Sequence, residues 1–186
     1  MTVTDDGARD WAREESERRD STRPPLGADL TRDFHLISRV LAEPELIADL
    51  KPDRIDRLVW RIPNIFTHSL LGGGYVEERL AVAQLSPEFL MRVFGDITDQ
   101  NVPLEMFWDT AIRAVQNSDR ALVDTIFDGL TRQLAHPNKW VQASAIHGFN
   151  HLREPRCRPL LQEFLHSCDD PHLADYARAA MTFRLM

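Results

Sequence analysis

Three segments with a shared pattern decide the fold of this chain: PLEMFWDTAIRAV at 103–115, PNKWVQASAIHGF at 137–149 and PHLADYARAAMTF at 171–183. The prolines that open them are 34 residues apart in both intervals, and each proline is followed eight residues later by an alanine. A fixed period of roughly 20–50 residues is typical of helical repeats, in which each unit buries its apolar face against the next. The sequence therefore predicts stacked helix pairs.

Helical spacing also governs the chain ahead of these repeats. Leu30, Phe34, Ile37 and Leu41 recur at the i, i+4, i+7 and i+11 positions of one helix face, and no segment shows the sustained alternation of a strand. We therefore predict an all-α fold, in which Pro63 breaks a helix.

Each repeat unit also contains a helix that precedes the quoted segment. Ser86 and Ser118 stand where they can cap two of these helices, because a serine side chain accepts a hydrogen bond from the first turn. The Asp169-Asp170-Pro171 run predicts a turn and the N-cap of the last helix. The expected spans of the preceding helices are 86–97, 119–134 and 155–167.

The composition is that of an ordinary globular protein of 186 residues, with 43% hydrophobic residues, 27% charged residues and a net charge of −7. Residues 1–25 are the exception, because Val3 and Trp11 are their only large apolar side chains and cannot offset the entropy of ordering. We predict a disordered charged tail there, with a charged helical stretch at 8–19 or a linear motif around Trp11 as alternatives. The predicted domain spans 26–186, with degenerate helices at 26–85 and three helix pairs at 86–186.

Neither a membrane-spanning helix nor a secretory signal is predicted. No stretch reaches 18 consecutive apolar residues, and the N-terminus has no basic region followed by an apolar one. Cys157 and Cys168 would lie about 16 Å apart on one helix, which is too far for a disulfide. Two reduced cysteines fit a cytoplasmic protein, and a regulatory thiol is the alternative.

The middle repeat resembles the HEAT repeat, with Gln142 in place of the usual arginine. The flanking units depart from the pattern, because Phe107 and Asp175 stand where HEAT repeats have valine. The tetratricopeptide signature, which has the same period, is missing from the preceding helix. The resemblance implies a right-handed α-solenoid of stacked antiparallel helix pairs. The residues that carry it are His136-Pro137-Asn138, Val141-Gln142, Ala145-Ile146, Gly148 and Leu152.

The second helices of HEAT-like solenoids line the concave surface, so the resemblance implies a binding face there. At 100° per residue, polar side chains on the middle second helix form a stripe separate from its apolar face. A tryptophan beside arginine and histidine has the composition of an interface hot spot, although Trp140 packing between repeats remains the alternative. We predict a non-catalytic protein- or peptide-binding scaffold. The predicted binding residues are Met106, Arg113, Trp140, Ser144, His147 and His151.

No enzyme activity, cofactor or metal is predicted. His147 and His151 stand at i and i+4, from where both can reach one metal ion. The glutamate of an HExxH motif is absent, and Glu154 would be a third ligand only near the end of the helix. Gly72–Gly74 is interpreted as a flexible loop, because the two acids that follow would repel a phosphate.

The alternative function is that of a nucleic-acid-binding relative of HEAT-like DNA glycosylases. Phe107-Trp108-Asp109-Thr110 and Trp140-Val141-Gln142 resemble segments of those enzymes, but Ile112 stands where the resemblance places the catalytic aspartate. The acidic balance of the chain disfavours nucleic acid and anionic membranes as partners.

Self-association is a further possibility, through the C-terminal helix. A solenoid normally ends in a polar cap, whereas the last helix carries a mostly apolar stripe. That stripe consists of Ala174, Arg178, Met181 and Leu185.

Overall fold

The computed structural model of the chain describes residues 4–18, 30–70, 75–113, 115 and 119–183, without the side chains of 66–70 and 113. Within these ranges the regular secondary structure is entirely helical, which confirms the all-α prediction. A short 3₁₀ turn, Pro44–Ile47, follows the second helix. The helices are α1 (Asp5–Glu17), α2 (Leu30–Ala42), α3 (Pro52–Leu70), α4 (Val76–Phe94), α5 (Val102–Arg113), α6 (Arg120–Leu134), α7 (Lys139–Leu152), α8 (Cys157–Ser167) and α9 (Pro171–Met181).

The helices pack in two rows. Helices α1, α3, α5, α7 and α9 form one row in which each contacts the next, and α2, α4 and α6 form a second row in the same manner. Consecutive helices also pair, since α7 packs on α6 and α9 packs on α8. One apolar core runs from Ala8 in α1 to Ala180 in α9.

Side-chain caps fix where α6, α7 and α9 begin. The Asp119 carboxylate accepts from the Ala121 backbone N–H, and the Asn138 side chain accepts from that of Trp140. Asp170 accepts from the first turn of α9, as its sequence position predicted. These caps satisfy backbone donors that have no partner inside the helix.

Two prolines predicted to mark helix boundaries lie inside helices instead. Helix α3 continues through Pro63, and α4 continues through Pro87. Ser86 does not cap a helix there, because its hydroxyl donates to the Val82 carbonyl at 2.7 Å. A side chain at Gly129 would meet the Pro87 ring at 2.4 Å, so the missing side chain lets α6 approach the proline. Ser118 lies outside the described residues.

The N-terminal segment corrects the prediction of a disordered tail over residues 4–18. Helix α1 packs against α2 and α3, and the Trp11 side chain is buried. Its indole N–H donates to Asp33 at 3.2 Å, and Glu15 pairs with Arg61 at 2.6 Å in the interior. The buried indole and this ion pair hold α1 against the helices beneath, although the segment carries few large apolar side chains. Residues 1–3 and 19–29 lie outside the described residues.

In the described ranges, no helix combines the length and the apolar character needed to cross a membrane.

Cys157 and Cys168 are both free thiols, at the start of α8 and just after its end. Burial raises the pKa of the Cys157 thiol to about 12, which argues against a reactive role for it. The glycine run at 72–74 lies outside the described residues.

Candidate functional site

Helix α7 packs closely against α5 and α6 at Gly148. A side chain at this position would meet Leu130 at 2.6 Å and the Trp108 Cβ at 3.2 Å. Glycine therefore allows α7 to pack closely against both neighbours. Side chains of the predicted binding stripe on this helix contact α5 and α9.

This approach overturns the expectation that the α7 stripe is an open surface. Ser144 is fully buried, and its hydroxyl donates to the Leu104 carbonyl at 2.8 Å. His147 is 2% exposed. Met106 is half-buried on α5, and Arg113 ends that helix with its side chain outside the described part. The stripe is thus mainly an internal polar seam between α5, α7 and α9.

Five side chains of this seam form one hydrogen-bonded network. The Tyr176 hydroxyl on α9 donates to Glu105 Oε1 at 2.7 Å and lies 2.7 Å from His147 Nδ1. The Nε2 atoms of His147 and His151 are 3.1 Å apart. His151 Nε2 lies 3.3 Å from Oδ1 of Asp109, which is 4% exposed.

Burial shifts the pKa values of two members of this network, His147 and Tyr176. Desolvation lowers the pKa of His147, although the nearby Glu105 and Asp109 carboxylates oppose that shift. Desolvation, reinforced by the hydrogen bond to Glu105, raises the pKa of Tyr176. His147 is therefore held as a neutral imidazole and Tyr176 as a neutral phenol.

Trp140 is half-buried, and a hydrogen bond orients its indole. Its indole N–H donates to the Thr98 carbonyl at 3.0 Å, and the Lys139 ammonium lies 5.0 Å from the ring centroid. The first contact ties the start of α7 to the segment after α4, which agrees with the alternative that Trp140 packs between units. The same side chain also lines a groove.

The groove runs between α5, α7 and α9 and has a volume of about 270 Å³. Its apolar wall includes Trp140, Ala143 and Leu173, and Glu105 and Tyr176 of the buried network also line it. Two carboxylates, Glu105 and Asp170, face one lysine, Lys139, which pairs with Asp170 at 3.3 Å. Glu105, Asp170 and Tyr176 were not predicted as site residues from the sequence, because they belong to neighbouring repeats and follow no shared motif.

The stripe predicted for self-association is only partly apolar surface. Ala174 is buried within the chain, and the exposed Arg178 pairs with Asp175 at 2.6 Å. Met181 is partly buried against the core, and Leu185 lies outside the described residues.

Three residues that the glycosylase resemblance singles out, Trp108, Asp109 and Ile112, are buried. The Trp108 side chain is 1% exposed, and its indole N–H donates to Gln133 at 2.8 Å. Ile112 is fully buried, and Asp109 is engaged by His151. No family model, curated protein or solved structure matches this chain. Arguments about function therefore depend on the geometry of the groove and of the buried network.

Proposed function

We propose that the chain is a non-catalytic scaffold that binds a protein or peptide segment in the groove between α5, α7 and α9. The observation that carries the proposal is the fixed indole of Trp140 on the wall of a 270 Å³ groove. An indole that is already held in place loses little conformational freedom on binding, which is a property of interface anchors.

The charges of the groove favour a basic side chain as the occupant. Glu105 and Asp170 supply two negative charges against the single positive charge of Lys139, and the chain as a whole carries −7. A lysine or arginine of the partner can lie over the Trp140 face and approach the Glu105 carboxylate. The same balance disfavours nucleic acid, whose phosphates would meet these carboxylates.

The proposal extends to the architecture. The two-row packing supports a HEAT-like solenoid of stacked antiparallel pairs, right-handed as the sequence resemblance implies. In that arrangement α5, α7 and α9 are the consecutive second helices of three units, and the groove lies on their shared side. We further propose a cytoplasmic location, supported by the two free cysteines. Self-association through the C-terminal helix remains a second possibility.

A peptide-display selection on the full chain tests the function. Random peptides are selected for binding, and the affinities of the enriched ones are measured by fluorescence anisotropy. We expect the enriched sequences to contain lysine or arginine. Trp140→Ala should lower their affinity by about 30-fold, which corresponds to the roughly 2 kcal/mol of a central anchor.

Trp60→Ala is the matched control, because Trp60 is another half-buried tryptophan but lies on α3 and does not line the groove. The affinity of the Trp60→Ala variant for the enriched peptides should stay within about twofold of that of the unaltered chain. Selection of no peptide, or equal affinity for the unaltered and Trp140→Ala chains, would contradict the proposal. Oligonucleotide binding that weakens steeply with salt would favour the nucleic-acid alternative.

A further inference from the structure

Three side chains of metal-ligand type meet beside the groove. Asp109 on α5 and the pair His147 and His151 on α7 each offer one donor atom, and these atoms all lie within 4.8 Å of one another. Asp109 and His147 are almost completely buried, whereas the His151 side chain keeps 19% of its surface exposed. The cluster is therefore enclosed by protein but has one ligand at the solvent boundary.

Two of the three distances between the donors match a coordination shell. A zinc–nitrogen bond is about 2.0–2.1 Å long, and tetrahedral geometry then separates two ligand atoms by about 3.3 Å. The two Nε2 atoms are 3.1 Å apart, and His151 Nε2 lies 3.3 Å from Asp109 Oδ1. The one-turn spacing on α7 and the packing of α5 against it thus hold His151 Nε2 at coordination spacing from both other donors.

The hydrogen bonds of His147 select the tautomer that a metal requires. Tyr176 gives its only hydroxyl proton to Glu105, so its oxygen can accept from Nδ1–H of His147. With the proton on Nδ1, the lone pair of a neutral imidazole lies on Nε2, the atom that faces His151. Metal-bound histidines are commonly oriented through their second nitrogen in this way.

We propose that Asp109, His147 and His151 form a binding site for one divalent transition-metal ion, for which zinc is the best fit. Imidazole with carboxylate suits Zn²⁺, whereas Mg²⁺ and Ca²⁺ take oxygen ligands. Three protein ligands leave a position for water on the exposed side of His151. A divalent cation also compensates the charge of the buried Asp109. The site does not depend on the occupant of the groove.

The third ligand differs from the one that the sequence offered. Glu154 pairs with Arg120 at 3.1 Å and with Arg156 at 3.0 Å. Asp109, 38 positions before His147 in the sequence, takes that place because α5 and α7 are neighbours in the row. The sequence points only to ligands close to the histidine pair along the chain, whereas Asp109 approaches from a neighbouring helix.

A zinc titration of the chelator-treated full chain tests the site by isothermal calorimetry. We expect one equivalent of Zn²⁺ to bind, no comparable binding of Mg²⁺, and an affinity at least tenfold lower in His151→Ala and Asp109→Asn. Replacement by Co²⁺ should give the visible absorption of a low-coordinate site. His166→Ala, which removes an exposed histidine from α8, should retain the unaltered affinity.

A second measurement needs no substitution, so it holds even where a variant does not fold. In ¹⁵N-histidine NMR of the unaltered chain, Zn²⁺ should shift the ring nitrogens of His147 and His151 and leave the other five histidines unchanged. The proposal is overturned by the absence of stoichiometric binding or by shifts confined to other histidines. Zinc affinity that survives both substitutions in folded protein would also overturn it.

Discussion

His147 and His151 face each other one turn apart on α7, with their Nε2 atoms separated by 3.1 Å. At this separation, two protonated rings would direct two N–H groups and two positive charges at each other. This contact places the His147 ring, whose pKa is lowered by burial, against a second imidazole rather than against water.

The first prediction concerns the pH dependence of the free energy of unfolding. Burial lowers the pKa of folded His147 below the ordinary value of 6.5. As pH falls below 6.5, the unfolded chain takes up a proton at this position before the folded chain does. The contribution of His147 to the free energy of unfolding is thus fully present above pH 6.5. It is lost as pH falls through the pKa of His147 in the folded protein.

Urea unfolding between pH 5 and pH 7 with a metal chelator present checks this sign. The unaltered chain should lose more stability on acidification than His147→Gln, whose side chain does not titrate. Parallel pH profiles for the two proteins would contradict the assignment of a lowered pKa to His147.

The second prediction concerns the approach of α7 to its neighbours. Gly148→Ala should destabilise the fold by about 1–3 kcal/mol, because the new methyl group overlaps Leu130 and Trp108 in a packed core. Thermal and urea unfolding measure the effect. Gly7→Ala is the control, since a side chain at this position would meet only the Thr4 hydroxyl, at 3.3 Å, near the start of α1. The free energy of unfolding of this variant should change by under about 1 kcal/mol. Equal effects in the two variants would refute the packing argument.

The third prediction concerns the docking of α1. Trp11→Ala removes a buried indole and its hydrogen bond to Asp33, so it should cost about 3 kcal/mol. Hydrogen exchange should show that amides of residues 8–17 lose protection in this variant. Arg9→Ala is the control, because its partner Asp6 is exposed and surface pairs contribute little. Rapid exchange of these amides in the unaltered chain would restore the prediction of a disordered tail.

The helical class and the starts of the later helices could be predicted from the sequence. Periodic apolar residues and capping side chains such as Asp170 are local signals, and local interactions decide them. It misplaced the boundary at Pro87, because that helix continues where Gly129 of another helix accommodates the proline ring. Gly129 is far from Pro87 in the sequence, so the residues around Pro87 do not indicate that the helix continues.

The site was predictable only in part, for a related reason. Helical spacing placed Ser144, His147 and His151 on one face of α7, and the structure retains that grouping. Spacing cannot show whether a polar face meets water or another helix, and here α5 and α9 cover it. Glu105, Asp109 and Tyr176 complete the network from two other helices, with up to 71 residues separating partners.

Helix α1 has a consequence for how copies of this chain meet. A row of stacked helices has an apolar side at each end that could accept a helix from another molecule. The inner face of α1 covers the start of the row with Ala8, Trp11 and Ala12. Its outer face consists of charged side chains such as Asp10 and Glu14, which are exposed. Stacking of a second copy on this side would require burying these charged side chains, which disfavours end-to-end association there.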